Sequence, residues 1–148
     1  MNATKRTAST RGIDYHRSLL YAIPAGIVAA IIWAFFVIIT GWEFGFLAIA
    51  IGYLVGYATY FGAGKKGSFT LQLTSVGISL ISIFIGEYLI TNHFWYTDLI
   101  AEGVQTMYFL RVWPVVVGTF EYIYQNPVTL LFWAIALYAS YSMARQRE

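Results

Sequence analysis

Four stretches of the chain, Leu19–Thr40, Phe44–Phe61, Phe69–Thr91 and Pro127–Met143, run apolar for 17 residues or more and share one charged side chain, Glu87. A helix that crosses a bilayer needs roughly 20 apolar residues, with about 17–25 as the working range. The pattern therefore predicts four spanning helices. Thr40-Gly41-Trp42-Glu43 separates the first two by only four residues, which makes them antiparallel neighbours. Pro24 near the start of the first span and Pro127 at the start of the fourth suit a helix's first turn, where a missing N–H costs little.

The connections differ in kind. Residues 1–18 are polar and carry Lys5, Arg6, Arg11 and Arg17, with Asp14 to Arg17 forming a first interfacial turn. A basic start followed by an apolar run resembles a signal peptide, but the apolar core of a signal peptide is about 7–15 residues long. The run here is longer, so the first span is read as retained. Gly62 to Ser68 is glycine-rich and basic. It lacks the spacing and the terminal Lys-Ser/Thr of a phosphate-binding loop, and it reads as a turn.

The third connection, 92–126, is too aromatic for a solvated loop. Thr97 or Asp98 is expected to cap a short helix running to about Val112. Pro114 is expected to open a second one ending near Gln125. Such a pair fits an interfacial cap on the bundle. A fifth span through Tyr108–Tyr124 is the rival, opposed by Arg111, Pro114 and Glu121. The expected fold is thus an all-α integral membrane protein. It comprises a cytoplasmic tail (1–18) and a four-transmembrane-helix bundle (19–148, spans about 19–40, 44–61, 69–91 and 127–143) with a short helical outer cap at 92–126.

Composition supports a lipid setting. Of the 148 residues, 59% are hydrophobic and 11% charged, against about 25% charged in ordinary soluble domains. Charge placement adds an orientation, because Lys and Arg favour cytoplasmic loops. The N-terminal tail, the loop at 62–68 and the end with Arg145 and Arg147 are basic. The opposite side holds Glu43, Asp98, Glu102 and Glu121 against Arg111. Both termini are therefore expected in the cytoplasm of a cell with a bacterial-type inner membrane. A net charge of +2 gives no case for nucleic acid, and the lack of cysteine excludes disulfides and thiol chemistry.

Small residues mark where helices can approach closely in lipid. Ala48, Gly52 and Gly56 recur every four residues in the second span. Ser75, Ser79, Ser82 and Gly86 form one face of the third. These faces serve either packing inside the chain or docking of another subunit. Trp33, deep in the first span, reads as a packing residue.

Ionisable groups inside spans are functional candidates by default, and Glu87 is the best one. It is either a proton or cation site, or a structural carboxylate hydrogen-bonded to a tyrosine or facing interfacial water. Gln72, Ser75, Ser79, Ser82 and Glu87 together form the best candidate polar path. Four helices provide few walls for a pore, so that reading calls for an oligomer. His16 and His93 fall on opposite sides and cannot share a metal. No catalytic constellation, cofactor motif or metal-ligand spacing is recognisable.

The stretch from Pro24 to Leu89, with AGIVAAIIWA, TGWEFGF, AIAIGYLVGYA and GAGKKG, resembles a poorly characterised bacterial small multi-pass membrane module. The resemblance implies a helical membrane module and no known reaction. The leading expectation is a non-catalytic accessory or scaffold subunit that meets the lipid bilayer and other membrane subunits, or itself. The alternative is a small homo-oligomeric channel or transporter using Glu87 and the serine face.

Overall fold

The computed structural model describes residues 12–42, 45–109 and 112–145. Among them the chain forms five α-helices and no strand: α1 (Tyr15–Thr40), α2 (Phe46–Gly62), α3 (Phe69–Ala101), α4 (Val112–Gln125) and α5 (Pro127–Met143). Two of these, α1 and α3, are long and apolar enough to cross a membrane. The other apolar helices, α2 and α5, have 17 residues each. At about 1.5 Å per residue, α1 is roughly 39 Å long, α3 roughly 50 Å, and α2 and α5 roughly 25 Å. Residues 1–11 of the basic tail, Glu43 and Phe44 of the first turn, Leu110 and Arg111 of the third connection, and Arg147 near the end lie outside the described residues.

Local chemistry sets the helix ends. Asp14 accepts the Arg17 backbone N–H at 3.0 Å and caps α1. Gly41 ends it in the left-handed region at φ 67°, its N–H bonded to the Val37 carbonyl at 2.8 Å. Because α1 starts at Tyr15, Pro24 is an interior helical residue and not a first-turn one. Ser68 caps α3 by accepting the Leu71 N–H at 3.2 Å.

The largest departure from expectation is the length of α3. A helix was expected to start at Thr97 or Asp98, but both sit inside the last turns of α3. Thr97 Oγ1 donates to the His93 carbonyl at 2.9 Å, so its hydroxyl bonds back into its own helix and caps no new one. After Gly86 no proline or glycine occurs until Gly103, at φ 80°. The connection expected over 92–126 therefore begins ten residues inside α3. Its second expected helix is present as α4, with Pro114 in the first turn and Gln125 at the end.

In the bundle α1 packs on α2 and α3, and α5 packs on α2 and α3. The fourth helix rests only on α3 and α5. Small residues make the close contacts. A Cβ on Gly52 would collide with the Ala136 backbone, one on Gly56 with Ser140 and Met143, and one on Gly26 with the Ser82 side chain. Gly52 and Gly56 thus form the seat of α5 within the chain, with Ala48 buried one turn earlier, and Gly86 is the seat of the Trp33 ring.

Both ends of the bundle are chemically distinct. Ser18 Oγ donates to the Thr59 carbonyl at 2.9 Å, and Gly62 abuts Arg17 and Ser18. This gathers Arg17, the Lys65-Lys66 turn and the end of α5 with Arg145 at one end. The far end of α3, with Asp98 and Glu102, lies at the other. Between the ends the outer surface is apolar: Leu20 is 71% exposed, Phe35 64% and Ile39 67%.

Candidate functional site

The interior of the bundle carries a file of polar side chains along α3. Gln72, Ser75, Ser79, Ser82, Glu87 and Asn92 are all buried, on the helix face turned to the other helices. Spacings of three, four and three residues put Gln72, Ser75, Ser79 and Ser82 on one face of a 3.6-residue helix, and two steps of five displace Glu87 and Asn92 to either side of it. Each of these side chains is buried within the chain.

Near the basic end the file is closed by hydrogen bonds. Ser140 of α5 meets both Ser75 and Ser79: its hydroxyl pairs with that of Ser75 and accepts from Ser79 at 2.7 Å. Ser82 Oγ donates to the Ile78 carbonyl of its own helix at 2.8 Å. Ser75, Ser79 and Ser140 act as interhelical glue, and Ser140 was not a candidate from sequence. Its partnership depends on the antiparallel register of α3 and α5, which a one-dimensional pattern does not carry.

Near the acidic end the file opens into a cavity of about 90 Å³. It is lined by Glu87 of α3, Trp33 of α1, Gly45 and Ala48 at the start of α2, and Val128, Thr129, Phe132 and Trp133 of α5. Glu87 is 4% exposed, Trp33 5% and Trp133 9%. The indole N–H groups of both tryptophans are buried without a hydrogen-bond partner. A buried donor left unsatisfied costs about 1–3 kcal/mol, and both donors belong to residues that line this cavity. Trp33 was read from sequence as packing. Its ring does pack on Gly86, but its polar edge is the feature that matters here.

The remaining candidates separate from this cavity. His93 Nδ1 lies 3.1 Å from the Tyr108 hydroxyl at the exposed acidic end. His16 lines a cleft of about 930 Å³ at the basic end, with Asp14, Arg17, Gly62, Gly64 and Lys66. The two histidines share no site. Glu121 accepts from Gln125 Nε2 at 3.2 Å on the surface of α4. Among the described residues no group of three or more His, Asp or Glu side chains converges as a metal set would. The cavity itself is lined by one carboxylate residue and one hydroxyl residue among apolar and aromatic side chains.

The fourth helix adds a second feature. Val115, Gly118, Thr119 and Ile123 turn inward and are buried. Gly118 takes the Trp95 ring, and Phe120 packs against Phe84 with ring centroids 5.1 Å apart and planes tilted by 39°. Trp113, Val117, Phe120 and Tyr124 form an outward stripe at intervals of four, three and four, 75%, 48%, 59% and 85% exposed. Asn92 Nδ2 donates to the Tyr108 carbonyl at 2.9 Å and ties the segment before α4 to α3.

Compared with protein-family models, curated proteins and solved structures, the chain matches none.

Proposed function

We propose that the chain is a four-span membrane protein acting as a non-catalytic accessory or scaffold subunit of a larger membrane assembly. The uncharged sequences of α2 and α5 support their insertion beside α1 and α3, although at 17 residues each they are short. The gathering of Arg17, Lys65, Lys66 and Arg145 at one end supports a cytoplasmic placement of that end and of both termini. The segment 102–126 then caps the outer side.

The observation that carries the accessory role is the outward stripe of α4. The small-residue faces of α2 and α3 are spent inside the chain, whereas Trp113, Val117, Phe120 and Tyr124 face outward on a helix that already buries its other side. Aromatic residues of this kind anchor protein interfaces, and the occupant we propose is a helix of another membrane subunit. Purification in mild detergent with mass analysis tests this. A defined complex held through α4 is expected. A monodisperse monomer with no partner overturns it.

A second reading, a small channel or transporter, is favoured by the enclosed polar file from Gln72 to Glu87. Flux into liposomes, compared between the wild type and Glu87→Gln, tests it. Unchanged or absent flux removes Glu87 from any transport step.

A further inference from the structure

We infer that the cleft between the start of α1 and the turn after α2 binds the phosphodiester headgroup of an anionic phospholipid, whose acyl chain lies in the apolar groove beside it on α1. The inference rests on the membrane placement proposed above and is independent of a partner on α4.

Two adjoining hollows carry it. The cleft of about 930 Å³ is lined by Asp14, His16, Arg17 and Lys66, with Gly62 and Gly64 among its walls. A second hollow of about 360 Å³ is lined by His16, Leu19, Leu20, Ile23 and Pro24. His16 belongs to both, so the polar cleft adjoins the apolar groove. The groove residues follow at steps of three, one, three and one, which keeps them on a single face of α1. From His16 to Pro24 that face extends about 12 Å along the helix axis. A polar cleft at the end of a spanning helix, with an apolar groove leading from it into the hydrocarbon, has the outline of a lipid.

The charges select the headgroup. Arg17 and Lys66 bring two cations and Asp14 one carboxylate, a surplus of one positive charge. Asp14 Oδ1 already accepts the Arg17 backbone N–H at 3.0 Å. Arg17 and Lys66 are both exposed, so their charged ends reach over the cleft on long flexible stems. Lys66 has a contact of its own and counts here only for its charge. A surplus of one suits a singly charged phosphodiester better than a doubly charged phosphate, which Asp14 would repel. A choline headgroup would bring a cation against Arg17. The turn offers side chains and no backbone cradle, because the N–H groups of Ala63, Gly64 and Lys65 bond the carbonyls of Thr59, Phe61 and Tyr60. Basic pockets on the cytoplasmic side of spanning helices bind anionic headgroups.

Native mass spectrometry of the full chain in detergent tests this, with phosphatidylglycerol and phosphatidylcholine of the same acyl chains offered in equal amounts. One phosphatidylglycerol is expected to bind in preference to phosphatidylcholine. Arg17→Gln and Lys66→Gln are each expected to weaken it about fivefold, the scale of one basic residue at an anionic surface. Lys65→Gln removes the same charge from the same turn but from outside the cleft lining. Its effect is expected to stay within about twofold, because solvent screens it. Equal binding of the two lipids, or equal losses in Lys65→Gln and Lys66→Gln, overturns the site. Displacement of the lipid by glycerol phosphate at equal concentration assigns the cleft to a free phosphate and overturns the lipid as occupant. Alkaline carbonate extraction separates this inference from the membrane placement. Release of the chain overturns both, whereas a chain that stays in the membrane yet shows no lipid preference overturns the site alone.

Discussion

The hydroxyl of Ser79 on α3 donates to the hydroxyl of Ser140 on α5 at 2.7 Å. The same Ser140 meets Ser75 one turn away, so a single small residue locks two turns of the central helix. Hydrogen bonds between helices in a membrane contribute about 0.6 kcal/mol on average and at most about 1.7. Ser140→Ala is expected to destabilise the bundle toward the upper part of that range, because two partners lose their contact at once. Unfolding in mixed micelles measures it. A change below about 0.3 kcal/mol would remove the serine lock as a stabilising element.

Gly52 and Gly77 form a contrasting pair. A side chain at Gly52 would strike the backbone of Ala136, which cannot rotate away, whereas one at Gly77 meets open space. Gly52→Ala is expected to cost about 1–3 kcal/mol as an overpacked contact. Gly77→Ala is expected to be neutral or to gain up to about 1 kcal/mol through helix propensity. Thermal melts of the two variants in one detergent check the difference in sign.

Asn92 is fully buried and holds the Tyr108 carbonyl. Asn92→Leu leaves that carbonyl short of a donor, at about 1–3 kcal/mol. Local opening of the segment 102–109 is then expected to become roughly 5- to 160-fold more frequent. Limited proteolysis with mass mapping reads this as faster cleavage in that segment, with helix content by circular dichroism unchanged.

The stripe on α4 predicts a variant with a defect in association alone. Val117 is half-exposed, so Val117→Asp is expected to leave the thermal midpoint within a few degrees while abolishing co-purification of a partner. Loss of folding together with loss of association would assign the stripe to packing instead.

Orientation can be read directly, because the chain has no native cysteine. Lys66→Cys and Met107→Cys are expected to react with a membrane-impermeant maleimide from opposite sides of sealed vesicles. Labelling from the same side would overturn the four-span topology.

Much of this arrangement was legible in the sequence because lipid-compatible helices announce themselves by uncharged length. The small-residue spacing at Ala48, Gly52 and Gly56 also pointed to a helix-packing face, and it is the face that receives α5. The end of α3 was not legible. Thr97 and Asp98 look like a cap in one dimension, yet an exposed helix end tolerates them, and only Gly103 breaks the helix. The candidate site was half legible. Glu87 and the serines were visible because polar residues stand out in an apolar span. Ser140 was hidden because its value depends on register. The tryptophans were hidden because an indole counts as apolar until its N–H is found without an acceptor.

The unequal helix lengths have a consequence of their own. The two 17-residue helices, α2 and α5, pack against each other, so the short elements lie on one flank and the long α1 and α3 supply the rest. In the four-span arrangement proposed above, with a bilayer hydrocarbon core about 30 Å thick, that flank falls about 5 Å short. Lipid next to it must thin or tilt, while lipid beside α1 need not. The molecule would then carry a fixed gradient of hydrophobic thickness around its girth, which sorts it toward thinner membranes and gives a neighbouring short-helix protein a preferred side of approach.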